Sequence, residues 1–538
     1  MPIYPPLFAA YPILALFAQN ASEVRTAELV LLLTFAVGVA ATAWLVLGLL
    51  LRSAAKGALV TAAAVVPFYT VDRLIEPAES LLTAIKGLWV PKSRTVVDPI
   101  WIVLLELVLL AGFAFLVRRL GDLSRTTRFL NILAVVVVAI PLARIATAKA
   151  PVASRPARQA RPMTTAAPSQ VARRPDIYYI ILDGYARQDV MASHFGLDNS
   201  AFLDHLRQKG FYVAGRSTSN YCQTPLSLAS SLNASYLDEM VKGLGNDQTE
   251  LSDLIGRNDV VATLKPHGYA FVTFATGFEP TEHPEADRYL APRVHLSEFQ
   301  RMVVDQTPAR VVWPDPRRLD PFQQARERIL YLLDRVPEVA QDSRPTFTFA
   351  HILCPHPPII FGAEGQDVAR VHEYEQFMLF QDGKVNGRFR HPERFQKAYR
   401  DQAAYITARV QRMIDRILAG SPEPPIIIVQ SDHGSELNLD MKSVENTDLP
   451  ERMSILNAYC FPGGRYEGLH PGITPVNSFR VVLNTFFGAH LPLLPDRSYF
   501  STWPEPYRFI DVTNAVREVD RRPDRSIPVD SRPNSPDS

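Results

Sequence analysis

Hydrophobic and polar positions divide this chain into two regimes. From Leu7 to Ala146 apolar stretches dominate, and charges fall mainly in the connections. Leu29 to Leu51 is an almost unbroken apolar span, long enough to cross a bilayer. Ile100 to Val117 and Phe129 to Ala146 are the next strongest. Leu59 to Val71 is short, and Leu7 to Phe17 is weaker still and carries Pro12. The pattern predicts a membrane domain of about five helices over residues 1–149. A buried helical core domain is the competing reading, and the scarcity of charge argues against it. Glu106, inside the fourth span, would face other helices or a polar group.

From residue 175 the pattern changes to α/β. Ile177 to Leu182, Tyr269 to Phe274, Phe347 to Ile352, Ile426 to Gln430 and Ile455 to Tyr459 read as strands. Ser200 to Lys209, Ser227 to Tyr236, Gln323 to Val336 and Phe395 to Leu418 read as helices. Strands separated by helical segments predict a mostly parallel sheet covered by helices on both faces. Residues 150–174 are rich in Pro, Ala and Arg without periodicity and read as a flexible linker. Residues 175–515 form the soluble domain. Residues 516–538 read as a mostly disordered tail, after a final short helix from Asp511. The long polar stretch from Phe361 to Phe395 reads as a loop, either a lid over a pocket or a surface insertion.

Charge adds an orientation. Arg52 and Lys56 separate the second and third spans; Arg118, Arg119, Arg125 and Arg128 separate the fourth and fifth. Basic loops stay in the cytoplasm, so everything after Ala146 is expected outside. Lys149, Arg155, Arg158 and Arg161 run against that rule, unless they lie against anionic headgroups. The N-terminus does not read as a removable signal peptide. The net charge is +1 and no basic-aromatic pattern occurs, which excludes nucleic acid as the expected partner. Three cysteines are too few for a disulfide scaffold. Buried free thiols are the simpler expectation, with a Cys222–Cys354 bridge as the alternative.

The candidate chemistry sits at strand ends. The run IIIVQ ends in Asp432-His433-Gly434, and Ile177 to Leu182 ends in Asp183-Gly184. Two acids and an imidazole at the carboxyl edge of an open sheet are a metal-site pattern. Thr224 in SNYCQTPLSLASSLNA stands at a helix start, where free N–H groups favour anions. It is either a metal-activated nucleophile or a plain helix cap. His356 follows a strand end, whereas His351 lies inside the strand and reads as a core histidine. His470 is a late-loop histidine not expected in the site. Glu436 is a candidate for a supporting contact or a turn cap, Asn220 for holding a phosphoryl oxygen, and Asn477 and Arg480 for structural contacts.

DIYYIILDGYARQD, the SNYCQTPLSLASSLN run, PPIIIVQSDHGSE and GITPVNSFRVVLNTFFG together resemble the alkaline phosphatase and sulfatase superfamily. The layout resembles its membrane-anchored phosphotransferases, such as lipoteichoic acid synthase and phosphoethanolamine transferases. The resemblance implies that Asp183, Asp432 and His433 hold one divalent metal, with Thr224 as fourth ligand and nucleophile. It implies a role for His356 on the phosphate, the sulfate or the leaving group. Mixed oxygen and nitrogen ligands suit zinc or manganese. Sulfatases carry Cys or Ser at the nucleophile position, with Pro and Arg at fixed spacing. Here Thr224 stands there, Pro225 comes one place early, and Leu228 replaces the arginine. Threonine cannot form the formylglycine aldehyde.

The expected activity is therefore transfer of a phosphoryl or phosphoalcohol group, through phosphothreonine, to an envelope glycan or lipid. The alternative is a metal-dependent phosphatase, phosphodiesterase or sulfatase. A non-catalytic membrane binding protein is the third class. The expected location is the bacterial inner (cytoplasmic) membrane, multi-pass, with the catalytic domain in the periplasm or outside the cell.

Overall fold

A computed structural model describes residues 1–69, 99–153, 158–166, 174–293, 295–308, 320–341, 344–368, 384–385, 388–389 and 391–520. Most of the 361–395 stretch and the tail from Arg521 lie outside the described residues. The chain forms two compact units. The first comprises Met1–Ile180, Tyr236–Leu353 and Arg412–Pro425; the second comprises Ile181–Ser235, Cys354–Gln411 and Ile426–Ser538.

The first unit opens with helices α1 (Tyr4–Gln19), α2 (Thr26–Leu50), α3 (Ala54–Phe68), α4 (Pro99–Arg118) and α5 (Ser124–Ala153). Two segments, Thr26–Leu50 and Ser124–Lys149, are long and apolar enough to cross a membrane. Large apolar side chains on α2, α4 and α5 are exposed, among them Phe35, Leu49, Trp101, Val108, Phe129 and Ile132. Such faces need an apolar surrounding. The short helix Glu298–Asp305 starts in a capping box, with Ser297 Oγ accepting from Gln300 N and the Gln300 side chain returning to Ser297 N. It packs Phe299 edge-on to Phe17 at 5.7 Å. Its start is tied to α2, because Ser297 Oγ donates to Glu28 at 2.9 Å and Gln300 Nε2 at 3.1 Å.

Part of the expected flexible linker is a docked strap. Arg158 pairs with Asp259 at 2.7 Å, and Arg161 N donates to the same carboxylate at 2.7 Å. Met163 N donates to Thr263 at 2.8 Å. The segment therefore runs along the helix Asp259–Leu264. Composition showed its lack of periodicity but not these partners, which lie about a hundred residues downstream.

The α/β part is a mixed sheet covered by helices, where a mostly parallel one was expected. In the first unit β5 (Thr346–Ile352) and β4 (Arg288–Leu290) flank β3 (Ala270–Phe274), both parallel to it. In the second unit β9 (Asn457–Cys460) runs antiparallel to both β8 (Ile426–Gln430) and β2 (Tyr212–Val213). Strand β1 (Ile177–Leu182) carries the chain from the first unit into the second. Apolar strands buried on both faces look alike whichever way they run, so direction was not readable from pattern. β1, β5 and β8 are buried throughout.

Candidate active site

The site lies wholly in the second unit, where the ends of β1 and β8 meet. Ser431 joins them: its hydroxyl lies 2.7 Å from Leu182 O and 2.6 Å from His433 O, and accepts from Tyr185 N at 2.9 Å. The chain turns sharply after each strand. Gly184 takes φ +69°, a conformation open to glycine, and its N–H donates to Asp432 Oδ1 at 3.1 Å. Gly434 sits so close to its neighbours that an added Cβ would meet Glu451 O at 2.1 Å. Gly184 is required by its positive φ, and Gly434 by the backbone that crowds against it.

These turns bring Asp183, Asp432 and His433 together, all buried. His433 Nε2 lies 3.2 Å from Asp432 Oδ2 and 3.6 Å from Asp183 Oδ1. His433 Nδ1 donates to Gly434 O at 2.9 Å, which leaves Nε2 as the acceptor. Burial, then the charge of Arg452, pushes this imidazole below its ordinary range. A neutral Nε2 lone pair therefore points toward carboxylate oxygen. Asp432 Oδ2 is buried and receives no hydrogen bond. Buried carboxylate oxygens and an imidazole nitrogen converging on one point are the donor set of a cation site. Asp183, His356 and His433 also present ligand atoms all within 4.8 Å of one another. The donor set fits a divalent metal.

Thr224 is not the cap of its helix. The helix Thr224–Leu232 takes Gln223 as its N-cap, with Thr224 as the first helical residue and Pro225 behind it. The Thr224 hydroxyl instead lies 2.9 Å from His433 Nε2 and donates to it. Ser227, one turn on, donates to Asp432 O at 2.7 Å and locks the helix to the metal loop.

His356 reaches the same place from a different loop. Its N–H donates to Asp183 O at 3.0 Å, and its ring lies 5.9 Å from that of His433. Burial pushes its pKa down, but Asp183 and then Glu436 outweigh burial and hold it above the ordinary range. Glu436 Oε2 is 3.7 Å from His356 Nε2.

Several supporting residues gave no sequence signal. Gln402 Nε2 lies 3.1 to 3.3 Å from the carbonyls of Pro355, His356 and Pro358, and its Oε1 accepts from Ile360 N and Phe361 N. That one amide pins the His356 loop. Tyr399 donates to Gly184 O at 2.7 Å. Glu451 accepts from Ser435, Leu437 and Asn438 and holds the chain after His433. These are ordinary helix or loop residues, visible only through their partners.

The remaining candidates have other hydrogen-bond or ion-pair partners. Asn220 donates to Thr474 Oγ1 and Arg497 O and accepts from Val476 N, bracing the late loop. His351 lies 3.0 Å from Thr281 Oγ1. His470 pairs with Asp496 at 3.1 Å. Asn477 holds Leu494, and Arg480 donates to Ala234 O and Pro492 O. Cys222 and Cys354 are free thiols, so no bridge joins them.

An Asp/His cluster at the carboxyl ends of an α/β sheet defines a metal-dependent enzyme of the alkaline phosphatase and sulfatase superfamily. A family model described as "Sulfatase" matches residues 175–480, and the chain belongs to that family. No curated protein matches it by sequence. Among solved structures it is similar to the C-terminal periplasmic domain of EcEptC from Escherichia coli. That match has 12% identity and a TM-score of 0.44, covering 65% of this chain and 96% of the other. It is also similar to the integral membrane lipooligosaccharide phosphoethanolamine transferase A (EptA) from Neisseria meningitidis. Here identity is 11% and the TM-score 0.38, covering 90% of this chain and 94% of the other. A third is BT1596, a 2-O GAG sulfatase, at 12% identity and TM-score 0.39, covering 62% and 74%.

Proposed function

We propose that this protein is a membrane-bound transferase that moves a phosphoryl or phosphoalcohol group to an envelope glycan or lipid through a phosphothreonine intermediate. The observation that carries this reading is the Thr224 hydroxyl, 2.9 Å from His433 Nε2 inside the Asp/His cluster. Asp183, Asp432, His433 and Thr224 would hold one divalent metal, zinc or manganese. When bound, that ion supplies positive charge that favours the threonine alkoxide and offsets charge on the transferring oxygens.

Without the ion, His433 Nε2 accepts from the Thr224 hydroxyl; the ion would take the place of that proton, which leaves to solvent, with both atoms already facing it. Thr224 Oγ1 attacks phosphorus, the leaving alcohol departs, and the group is carried on threonine. His356, held on the acidic side of the site by Asp183 and Glu436, donates to an oxygen of the transferring or leaving group. An acceptor hydroxyl then displaces threonine and takes the group. Threonine cannot become formylglycine, which disfavours sulfate-ester chemistry within this family.

Residues 1–149 form the membrane domain, 150–174 its connection, 175–515 the catalytic domain, and 516–538 a tail. The exposed apolar faces of α2, α4 and α5 support contact with lipid, and the basic loops support a catalytic domain outside a bacterial inner membrane.

Intact-mass measurement of the purified full chain, incubated with host lipid extract, tests the reading. A mass gain on wild type that vanishes in Thr224→Ala supports it, and the size of the gain names the transferred group. Turnover of phosphate mono- or diesters to free alcohol, with water the only acceptor used, would replace transfer by hydrolysis.

A further inference from the structure

Arg452 is a buried cation that the reaction above does not use. The residue is 4% exposed. Its Nε donates to Cys222 O at 2.9 Å and its Nη1 to Gly434 O at 3.3 Å. These carbonyls flank the chemistry. Cys222 lies two residues before Thr224, and Gly434 directly follows His433. Gly434 O is also the acceptor that fixes the His433 ring. The guanidinium therefore sits between the nucleophile loop and the histidine loop.

A guanidinium has five N–H donors. Two carbonyls use two of them. Among the described residues no carboxylate pairs with Arg452, and its guanidinium makes no further hydrogen bond. Carbonyl groups orient a cation but do not neutralise it. A buried charge without a counter-ion is strongly unfavourable unless a ligand supplies one. Arginine's planar fork also matches two oxygens of a tetrahedral anion.

We propose that Arg452 is an anion-binding residue, whose remaining N–H donors hold a non-bridging oxygen of the phosphoryl or sulfuryl group presented to Thr224. The proposal rests on the reading of Thr224 as nucleophile. Its rival is a brace, in which Arg452 does no more than tie Cys222 O to Gly434 O.

The test uses the full chain in detergent, loaded with zinc or manganese, and its Arg452→Lys and Arg452→Met variants. Metal content is measured by mass spectrometry, and binding of inorganic phosphate and of sulfate by calorimetry. The expected result is unchanged metal content in both variants. Arg452→Met should lose roughly 10- to 100-fold in phosphate affinity, and Arg452→Lys should fall between. Which of the two anions binds wild type more tightly identifies the transferred group. Metal-loaded Arg452→Met that binds phosphate as wild type does overturns the proposal and leaves the brace. Should Arg452→Met fail to fold, the lysine variant decides: full affinity in a folded Arg452→Lys rules out recognition by the fork, and a loss with metal retained supports it. A metal-loaded wild type that binds neither anion overturns the phosphotransferase reading itself.

Discussion

Thr224 and Gly434 show how much a single atom decides here. Removing the hydroxyl in Thr224→Ala leaves Asp183, Asp432 and His433 in place, so metal should stay bound while transfer falls by roughly a thousandfold or more. Thr224→Ser keeps the oxygen and should retain measurable transfer; equal loss in both variants would argue against a nucleophilic hydroxyl. Gly434→Ala fails for another reason. Its Cβ would meet Glu451 O at 2.1 Å, so backbone must move beside His433. The expected cost is about 1–3 kcal/mol of stability together with weaker metal binding, read by thermal melting and metal titration.

Among the elements, the helix Leu449–Met453 is the one whose cap connects to a titrating group. Asp448 caps it, accepting from Glu451 N at 3.1 Å, and faces His194 Nε2 at 3.4 Å. The hydrogen bond to Asp448 leads in raising the His194 pKa. The same bond leads in lowering that of Asp448. The sign follows from the raised imidazole. Its stabilisation is complete below the ordinary histidine range and is lost as pH rises through the folded value. On the acid side, the Asp448 contribution is lost as pH falls through its lowered value. His194→Gln should therefore be less stable than wild type in mildly acidic buffer and equal to it in alkaline buffer. A constant difference at all pH values would mean the ion pair contributes nothing. Asp448→Ala should cost about 1 kcal/mol more broadly, because the cap goes too. The strap along Asp259–Leu264 gives a second test. Asp259→Ala removes the acceptor of both Arg158 and Arg161 N. Trypsin should then cut after Arg158, which precedes Gln159, faster than in wild type.

For the whole molecule, the division into two units matters for metal removal. Asp183, Thr224, His356, Asp432 and His433 all belong to the second unit. Metal at a hundredfold its Kd stabilises the state that binds it by about 2.7 kcal/mol. Chelation should lower the melting of that unit and leave a transition of the first unit less changed. Hydrogen exchange localises the effect: faster exchange after chelation should concentrate at 181–186 and 426–438. Uniform loss of protection across the chain would show that the two units melt as one.

The motifs at Asp183-Gly184 and Asp432-His433-Gly434 were legible because a buried strand ends abruptly in polar residues, and that contrast is local. The same is true of the long apolar helices at Thr26–Leu50 and Ser124–Lys149, whose composition alone marks them. β1 and β8 were bounded to the residue, since uninterrupted apolar runs have sharp edges. Strand direction was not legible, because the residue pattern does not record which way the chain enters β9, antiparallel to both its neighbours. Whether the Thr224 hydroxyl caps a helix or faces His433 was also open, since both uses need the same residue at the same place. Tertiary structure decided it by bringing together positions 209 residues apart. Gln402, Glu451 and Arg452 carry no pattern of their own. Their roles exist only as distances to atoms that the fold supplies.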